Sequence, residues 1–335
     1  MYRFLFIQVS LLIHSYLSSR QQYVDINGQS SDIEPIKSGV PQGSILGPFL
    51  LNFYINDIVN ISKSTKFIIY ADDTSMLFNG DSPAELIENA NVTLGKLDTW
   101  SRFNGLKINV NKTKAVLFRP KGKYVNISDD IIFNSSKIEV VPAFKTLGVF
   151  FSENMSWDAH INYVTSKLSS IVGLAYRHKH VLPFRIKLLL YNSLFYSQIN
   201  YGHLIWGTTT NTNLQKIFLL QKKILRSICN VSPEFPTEKL FSQLDVVKIF
   251  NMYRYRLCVK YKAEISMNVR HLVSLADLKE KVFAYPTRVR EPWVVPFFRT
   301  NYGLQPLHLL FQPPSTTFVR NTSSLKICLQ ITLGT

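Results

Sequence analysis

Two adjacent carboxylates, Asp72 and Asp73, stand between the short β-branched and aromatic runs Thr65–Tyr70 and Ser75–Phe78. The runs predict a hairpin with the acids at its tip. Paired carboxylates on a tight turn are hard oxygen ligands suited to divalent cations. Two metals held in this way can activate an attacking oxygen and steady a leaving one in phosphoryl transfer. Taken alone, the pair is more simply a turn, because Asp side chains bond local backbone. Upstream lies Ser38-Gly-Val-Pro-Gln-Gly-Ser-Ile-Leu-Gly-Pro48, a glycine- and proline-rich loop that leads into a helix. Glycines let a sugar or backbone come close, and free amides at a helix start favour phosphate. The helix, Phe49–Ile58, is apolar nearly all round and is expected to be buried.

The elements that must position these residues are mixed. Ser82-Pro83-Ala84-Glu85 has the form of a capping box. Leu86, Ala90, Leu94, Leu97 and Trp100 then mark one helix face, closed by Asn104-Gly105. Leu106–Asn109 and Ala115–Phe118 predict a second strand pair around a turn at Asn111–Lys114. Asn27-Gly28 is a hairpin signal. The stretches 159–181, 184–201 and 212–230 repeat apolar residues at helical steps and are broken by Pro183, Gly202 and Gly207.

Charge follows this division. The 335 residues carry a formal net charge of +16. Residues 1–159 are neutral, with 15 basic and 15 acidic side chains, whereas residues 160–262 hold 15 basic and 3 acidic, net +12. A basic helical layer beside a neutral one suits a surface that tracks a phosphate backbone. Three widely spaced cysteines exclude a disulfide framework and a Cys-x-x-Cys zinc site. No apolar run is long enough to span a bilayer. Phe4–Ile13 resembles a signal-peptide core, but no small-x-small cleavage site follows, and a buried helix is the simpler expectation.

The run Ser38–Pro48, then Tyr54-Ile55-Asn56-Asp57, then Tyr70-Ala71-Asp72-Asp73-Thr74 closely resembles the reverse transcriptases of non-LTR (LINE-type, jockey-like) retrotransposons. The last two blocks set it apart from group II intron maturases. Further blocks agree: Leu97–Trp100 with Asn104–Asn109 and Lys112-Thr113-Lys114, Phe144–Val149, Asn200-Tyr201-Gly202, Gln221-Lys222-Lys223 with Arg226, and Arg299–Gly303. The resemblance runs from about His14 to about Pro314. It implies an α+β fold: a partial right-hand palm over residues 1–158, an α-helical thumb over 159–262, and a poorly defined extension over 263–335. It also implies roles. Asp72 and Asp73 would be metal ligands, Tyr70 would pack near the primer end, and Pro41, Gln42 and Gly43 would line the nucleotide and template. Lys112 would give a proton to pyrophosphate. Leu147 and Gly148 would form a primer grip, and Lys222, Lys223 and Arg226 would hold nucleic acid. Trp157 and His160 are read as core. The implied partners are an RNA template, a DNA primer, dNTPs and two Mg²⁺ ions, with Mn²⁺ as a substitute.

One departure matters. The family's first catalytic strand, which carries the metal-bridging aspartate, lies upstream of the Ser38 loop. The 37 residues before Ser38 offer Asp25, Asp32 and Glu34, and none is a credible substitute. The expectation is therefore a truncated chain with little activity of its own. It needs an upstream palm and fingers segment for a complete site, and its Asp72–Asp73 hairpin is left as an exposed sheet edge. The alternative is a non-catalytic module that binds an RNA–DNA hybrid.

Overall fold

The computed structural model describes residues 2–122, 125, 129–267 and 325–334. In chain order the elements are α1 (Tyr2–Leu17), β1 (Gln21–Gln22), β2 (Asp25–Ile26), β3 (Gln29–Ser30), β4 (Glu34–Pro35), α2 (Leu46–Ile55), β5 (Lys66–Tyr70), β6 (Asp73–Gly80), α3 (Pro83–Phe103), β7 (Lys107–Ile108), β8 (Lys114–Phe118), β9 (Ile132–Phe133), β10 (Ser136–Lys137) and β11 (Glu139–Val140). There follow β12 (Ala143–Thr146), β13 (Val149–Ser152), α4 (Asp158–Arg177), α5 (Phe184–Leu190), α6 (Ser197–Asn200), α7 (His203–Trp206), α8 (Asn211–Cys229), α9 (Thr237–Gln243), α10 (Ile249–Ser266) and β14 (Leu325–Gly334). The fold is mixed α and β. The expected Arg299–Gly303 block and most of the 263–335 extension lie outside the described residues.

The chain divides into two compact units. Unit 1 gathers Met1–Ala115, Asn126–Val140 and Lys326–Thr335, and unit 2 gathers Val116–Val125 and Val141–Leu325.

Most of unit 1 is built on a six-stranded sheet of order β11–β8–β14–β6–β5, with β7 pairing β14; β8 begins in unit 1 and its residues from Val116 belong to unit 2. Along β6 the residues alternate as a half-covered strand should, with Thr74, Met76 and Phe78 buried. Helix α3 packs on β6. The Ser82 hydroxyl accepts from the Glu85 amide at 3.2 Å, as a capping box requires, while the Glu85 carboxylate reaches one residue further back and accepts from the Asp81 amide at 3.0 Å. The helix buries the expected face, Leu86, Ala90, Leu94, Leu97 and Trp100. Asn27 and Gly28, both at positive φ, turn β2 antiparallel onto β3.

Four sequence expectations are corrected here. The strand pair around Asn111–Lys114 does not form: β7 runs antiparallel to β14, and β8 pairs with β11 in parallel. A 3₁₀ turn at Val110–Lys112, capped by the Asn109 side chain, carries the chain between them. The apolar helix starts and stops three residues early and is not buried all round. Ile55 and Gly47 are covered, while Ile45, Phe49 and Phe53 point to solvent, because only one side of α2 meets the rest of the unit. In α1, Val9, Leu11 and Leu12 are likewise exposed. Finally, the hairpin is an edge on one side only: β5 ends the sheet, but β14 lies beside β6.

Unit 2 joins the antiparallel hairpin β12–β13 to helices α4–α10. Its core includes Trp157, Ile161, Val164, Leu168, Tyr191, Phe195, Trp206, Ile217, Ile224 and Met252. The predicted helices are there, with Pro183 and Gly202 at helix starts. Between α5 and α6 the chain makes a π-helical turn at Tyr191–Tyr196. Gln221 ties the bundle together. Its amide nitrogen donates to the Val247 carbonyl at 2.9 Å and the Tyr191 hydroxyl at 3.3 Å, and its amide oxygen accepts from the Ile249 amide at 3.2 Å.

Two buried histidines flank Trp206, with ring centroids 5.4 Å (His160) and 4.5 Å (His203) away. Burial, with a smaller push from Lys145, lowers the His160 pKa to about 4. Burial also lowers His203 to about 4; the Ile199 carbonyl opposes this and Arg256 adds to it. The unfolded chain takes up these two protons near pH 6.5, so it binds more protons than the folded chain between 6.5 and 4. Unit 2 therefore keeps its full stability above pH 6.5 and loses on the order of 3 kcal/mol per ring as the pH falls from 6.5 to 4. Urea midpoints at pH 7 and pH 4.5 check this, and equal midpoints would refute it.

Candidate functional site

Strands β5 and β6 pair from Lys66↔Leu77 to Tyr70↔Asp73, so Ala71-Asp72 is a two-residue turn. Ala71 sits at φ +52°, the left-handed region that a Cβ disfavours. Two-residue hairpin turns take positive φ at their first central position, so Ala71 adopts this conformation as part of the turn. Asp72 is exposed, Asp73 opens β6 half-buried, and Tyr70 beside them is 64% exposed. The three side chains thus present two carboxylates and a phenol ring at one solvent-facing corner.

Pro41, Gln42 and Gly43 are exposed on the loop before α2, in the same unit. Gly43 has φ +80°, a conformation that glycine takes without strain. The Ser44 hydroxyl caps the Gly47 amide at 3.1 Å, so one amide of the helix start is already satisfied. The Tyr54–Asp57 block has a structural use. The Tyr54 hydroxyl donates to the Asn104 carbonyl, and Asp57 accepts from the Trp100 indole at 3.1 Å. These bonds tie the segment after the loop to the end of α3. Lys112 is exposed at the close of the 3₁₀ turn before β8, and β14 separates β8 from β6 in the sheet.

The remaining sequence-predicted residues lie in unit 2. Leu147 (φ +45°) and Gly148 (φ +81°) form the β12–β13 turn. The Tyr201 hydroxyl donates to the Leu147 carbonyl at 2.6 Å, and a Cβ on Gly148 would stand 3.0 Å from the Tyr201 ring. Tyr201 therefore supports the turn and requires its glycine. On α8, Lys223 is exposed, Lys222 lies 4.5 Å over the Phe218 ring, and the Arg226 Nε donates to the Phe235 carbonyl at 3.1 Å. Lys223 is open to a ligand, while Arg226 is engaged in the fold.

Sequence reasoning passed over one cluster. The Lys145 Nζ donates to the Tyr163 hydroxyl at 2.9 Å, and the Lys145 and Lys167 ammoniums lie 4.4 and 4.7 Å from the Tyr163 ring centre. Hydrogen bonds from Lys145 and then Lys167 lower the Tyr163 pKa. Cations stacked on an aromatic ring suit base stacking beside phosphate. The signal was present in the quoted Phe144–Val149 block, but the partner sits on the next helix, outside any motif.

Residues 2–151 match the reverse transcriptase (RNA-dependent DNA polymerase) family. Those residues belong to the reverse transcriptase family. The reverse-transcriptase segment thus holds the Ser38 loop, the Asp72–Asp73 turn and the β12–β13 hairpin. The chain is similar to the RNA-directed DNA polymerase from mobile element jockey of Drosophila melanogaster, with 27% identity over 84% of this chain and 32% of that protein. The jockey polymerase of Drosophila funebris is 26% identical over 84% of this chain and 32% of its own length. The probable RNA-directed DNA polymerase from transposon X-element of Drosophila melanogaster is 25% identical over 72% and 27%. The chain spans about a third of the length of these relatives. No solved structure matches it. The matched segment and these relatives support a LINE-type, non-LTR reverse transcriptase origin.

The donor set can be tested against the two ions that the resemblance implies. Among the described residues, no group of three or more His, Cys, Asp or Glu side chains could hold a metal ion. Asp72 and Asp73 are two carboxylates on one turn. A pair of ions 3.5–4 Å apart needs bridging oxygens from a further strand. The described residues do not make a two-ion site.

Proposed function

We propose that this chain is the template- and primer-holding part of a non-LTR reverse transcriptase, with little nucleotide transfer of its own. Unit 1 is read as palm, with the Ser38 loop facing the nucleotide and Tyr70 facing the primer end. Unit 2 is read as the primer-grip hairpin followed by a thumb. The observation that carries the reading is the Asp72–Asp73 turn. It is exposed, it lies inside the matched segment, and it lacks a third carboxylate among the described residues.

RNA-directed DNA synthesis joins a primer 3′-hydroxyl to an incoming dNTP and releases pyrophosphate. Mg²⁺, when bound, would supply the charge neutralisation for that transfer, and this donor set is one ligand short of the arrangement it needs. What the chain's own residues supply is binding: an open loop with glycines, a lysine–tyrosine platform, and a helical unit with excess positive charge.

A primer-extension assay tests the reading, with an RNA template, a DNA primer, dNTPs and either Mg²⁺ or Mn²⁺. Incorporation is expected to equal that of Asp72→Ala, at background. Extension that the wild-type chain performs and Asp72→Ala loses would show a complete catalytic site and overturn the reading.

A further inference from the structure

The most unusual feature of unit 1 is the origin of its central strand. β14 lies between β6 and β8, and its far end pairs antiparallel with β7 through Leu333↔Ile108 and Gly334↔Lys107. Every other strand of this sheet lies between residues 66 and 140, and unit 1 takes nothing from residues 141–325. β14 thus reaches the sheet from beyond all the helices of unit 2.

Its burial is that of a core strand. Ile327, Leu329 and Ile331 share one face and are each 1% exposed or less, while Cys328 and Gln330 on the other face are also buried. The sequence Leu-Lys-Ile-Cys-Leu-Gln-Ile-Thr-Leu-Gly alternates, so its apolar residues fall on one face of the strand, as the period of two requires. Without it, β6 and β8 would face each other across a one-strand gap, each with an unpaired backbone edge. Such a gap is a template for an added strand, where main-chain bonds give affinity and alternate side chains give register.

We propose that the gap between β6 and β8 is a strand-acceptor site, that β14 is its occupant, and that the same segment supplied in trans docks there too. A second copy's β14 could then close the sheet by exchange, which is a low-cost route to a dimer. The inference goes beyond the polymerase reading and does not depend on it. One consequence does rest on that reading. β14 contains no Asp or Glu, so while it is seated the place beside β6, whose first residue is Asp73, contributes no carboxylate.

The test uses the full chain carrying Leu329→Pro, which removes a ladder donor from a central strand. Hydrogen exchange is followed at β6 and β8, with α8 in unit 2 as an internal reference. The expected result is at least a tenfold loss of protection at β6 and β8 with α8 unchanged. A peptide of residues 325–334, with Ser for Cys328, is then expected to restore protection saturably. Unchanged protection in the variant, or no recovery with peptide, overturns the proposal.

If the variant unfolds throughout, a chain with native β14 still decides. With Cys229→Ser and Cys258→Ser, Cys328 is the sole thiol, buried in β14. Added peptide is expected to speed labelling of Cys328 at least tenfold, because it captures the open gap. A labelling rate indifferent to peptide overturns strand exchange. Neither readout involves catalysis, so a failure here is separate from a failure of the primer-extension test.

Discussion

An RNA–DNA hybrid is expected to bind this chain about a thousand-fold more weakly at 200 mM than at 50 mM salt, the loss that follows from releasing counterions at about six phosphates. The charge that produces it is concentrated. Residues 160–262 hold 15 basic and 3 acidic side chains, whereas residues 1–159 are neutral. Many of the basic groups face water, among them Lys167, Arg177, Arg185, Lys216, Lys223, Arg254 and Lys260. The three α8 residues should behave differently. Lys223→Ala removes a free cation and should reduce the salt slope by about one. Arg226→Ala also breaks the bond to the Phe235 carbonyl, so it should lower the melting temperature as well. Asp72→Ala should leave the salt slope unchanged, because the excess positive charge that sets it lies in residues 160–262. Filter binding across a salt series reads all of these. A flat salt dependence would remove the electrostatic basis of the proposed function.

Much of this arrangement was legible in the sequence where local chemistry decides it. The Asp72–Asp73 hairpin, the Ser82 cap and the face of α3 follow from alternation, capping and helical spacing, and each forms as those rules require. The helices of unit 2 follow in the same way, and Trp157 and His160 are core as read. What failed was non-local. Leu106–Asn109 and Ala115–Phe118 looked like neighbours because they are close in sequence, but β14, some two hundred residues later, lies beside both β7 and β8. Local propensity carries no information on such a pairing, and the same strand corrects the expected bare edge of β6. Apolar content misled at α2 and α1, because composition shows that a helix could be buried but not how much neighbouring structure covers it. At the candidate site the motif residues were found, but the supporting contacts were not. Tyr201 beneath the β12–β13 turn and the Lys145–Tyr163–Lys167 cluster join positions tens of residues apart or on different elements.

The fold-level counterpart of the binding prediction concerns one glycine. Gly207→Ala is expected to cost unit 2 about 3 kcal/mol, at the upper end of overpacking effects. Its φ of −66° is ordinary, so the reason is space rather than backbone freedom. A Cβ there would stand 2.4 Å from the His203 carbonyl oxygen, 2.8 Å from the Tyr253 ring and 2.9 Å from His203 Nε2. The carbonyl cannot swing aside, because it accepts the Gly207 amide at 2.8 Å. Tyr253, on α10, is itself buried. Relief must come from moving α7 against α10, and that disturbs Trp206, which is fully buried with its indole donating to the Tyr201 carbonyl at 2.8 Å. Tyr201 in turn holds the Leu147 carbonyl, so the displacement reaches the β12–β13 turn. Gly173 is the control. It lies within α4 with nothing near its missing Cβ, so Gly173→Ala should stabilise by about 0.5–1 kcal/mol through helix propensity alone. Thermal melts should therefore separate the two alanines in sign, with Gly207→Ala falling by roughly 6–12 °C. Equal melting temperatures would mean that α7 and α10 are not packed through this glycine, and the support for the β12–β13 turn would have to come from elsewhere.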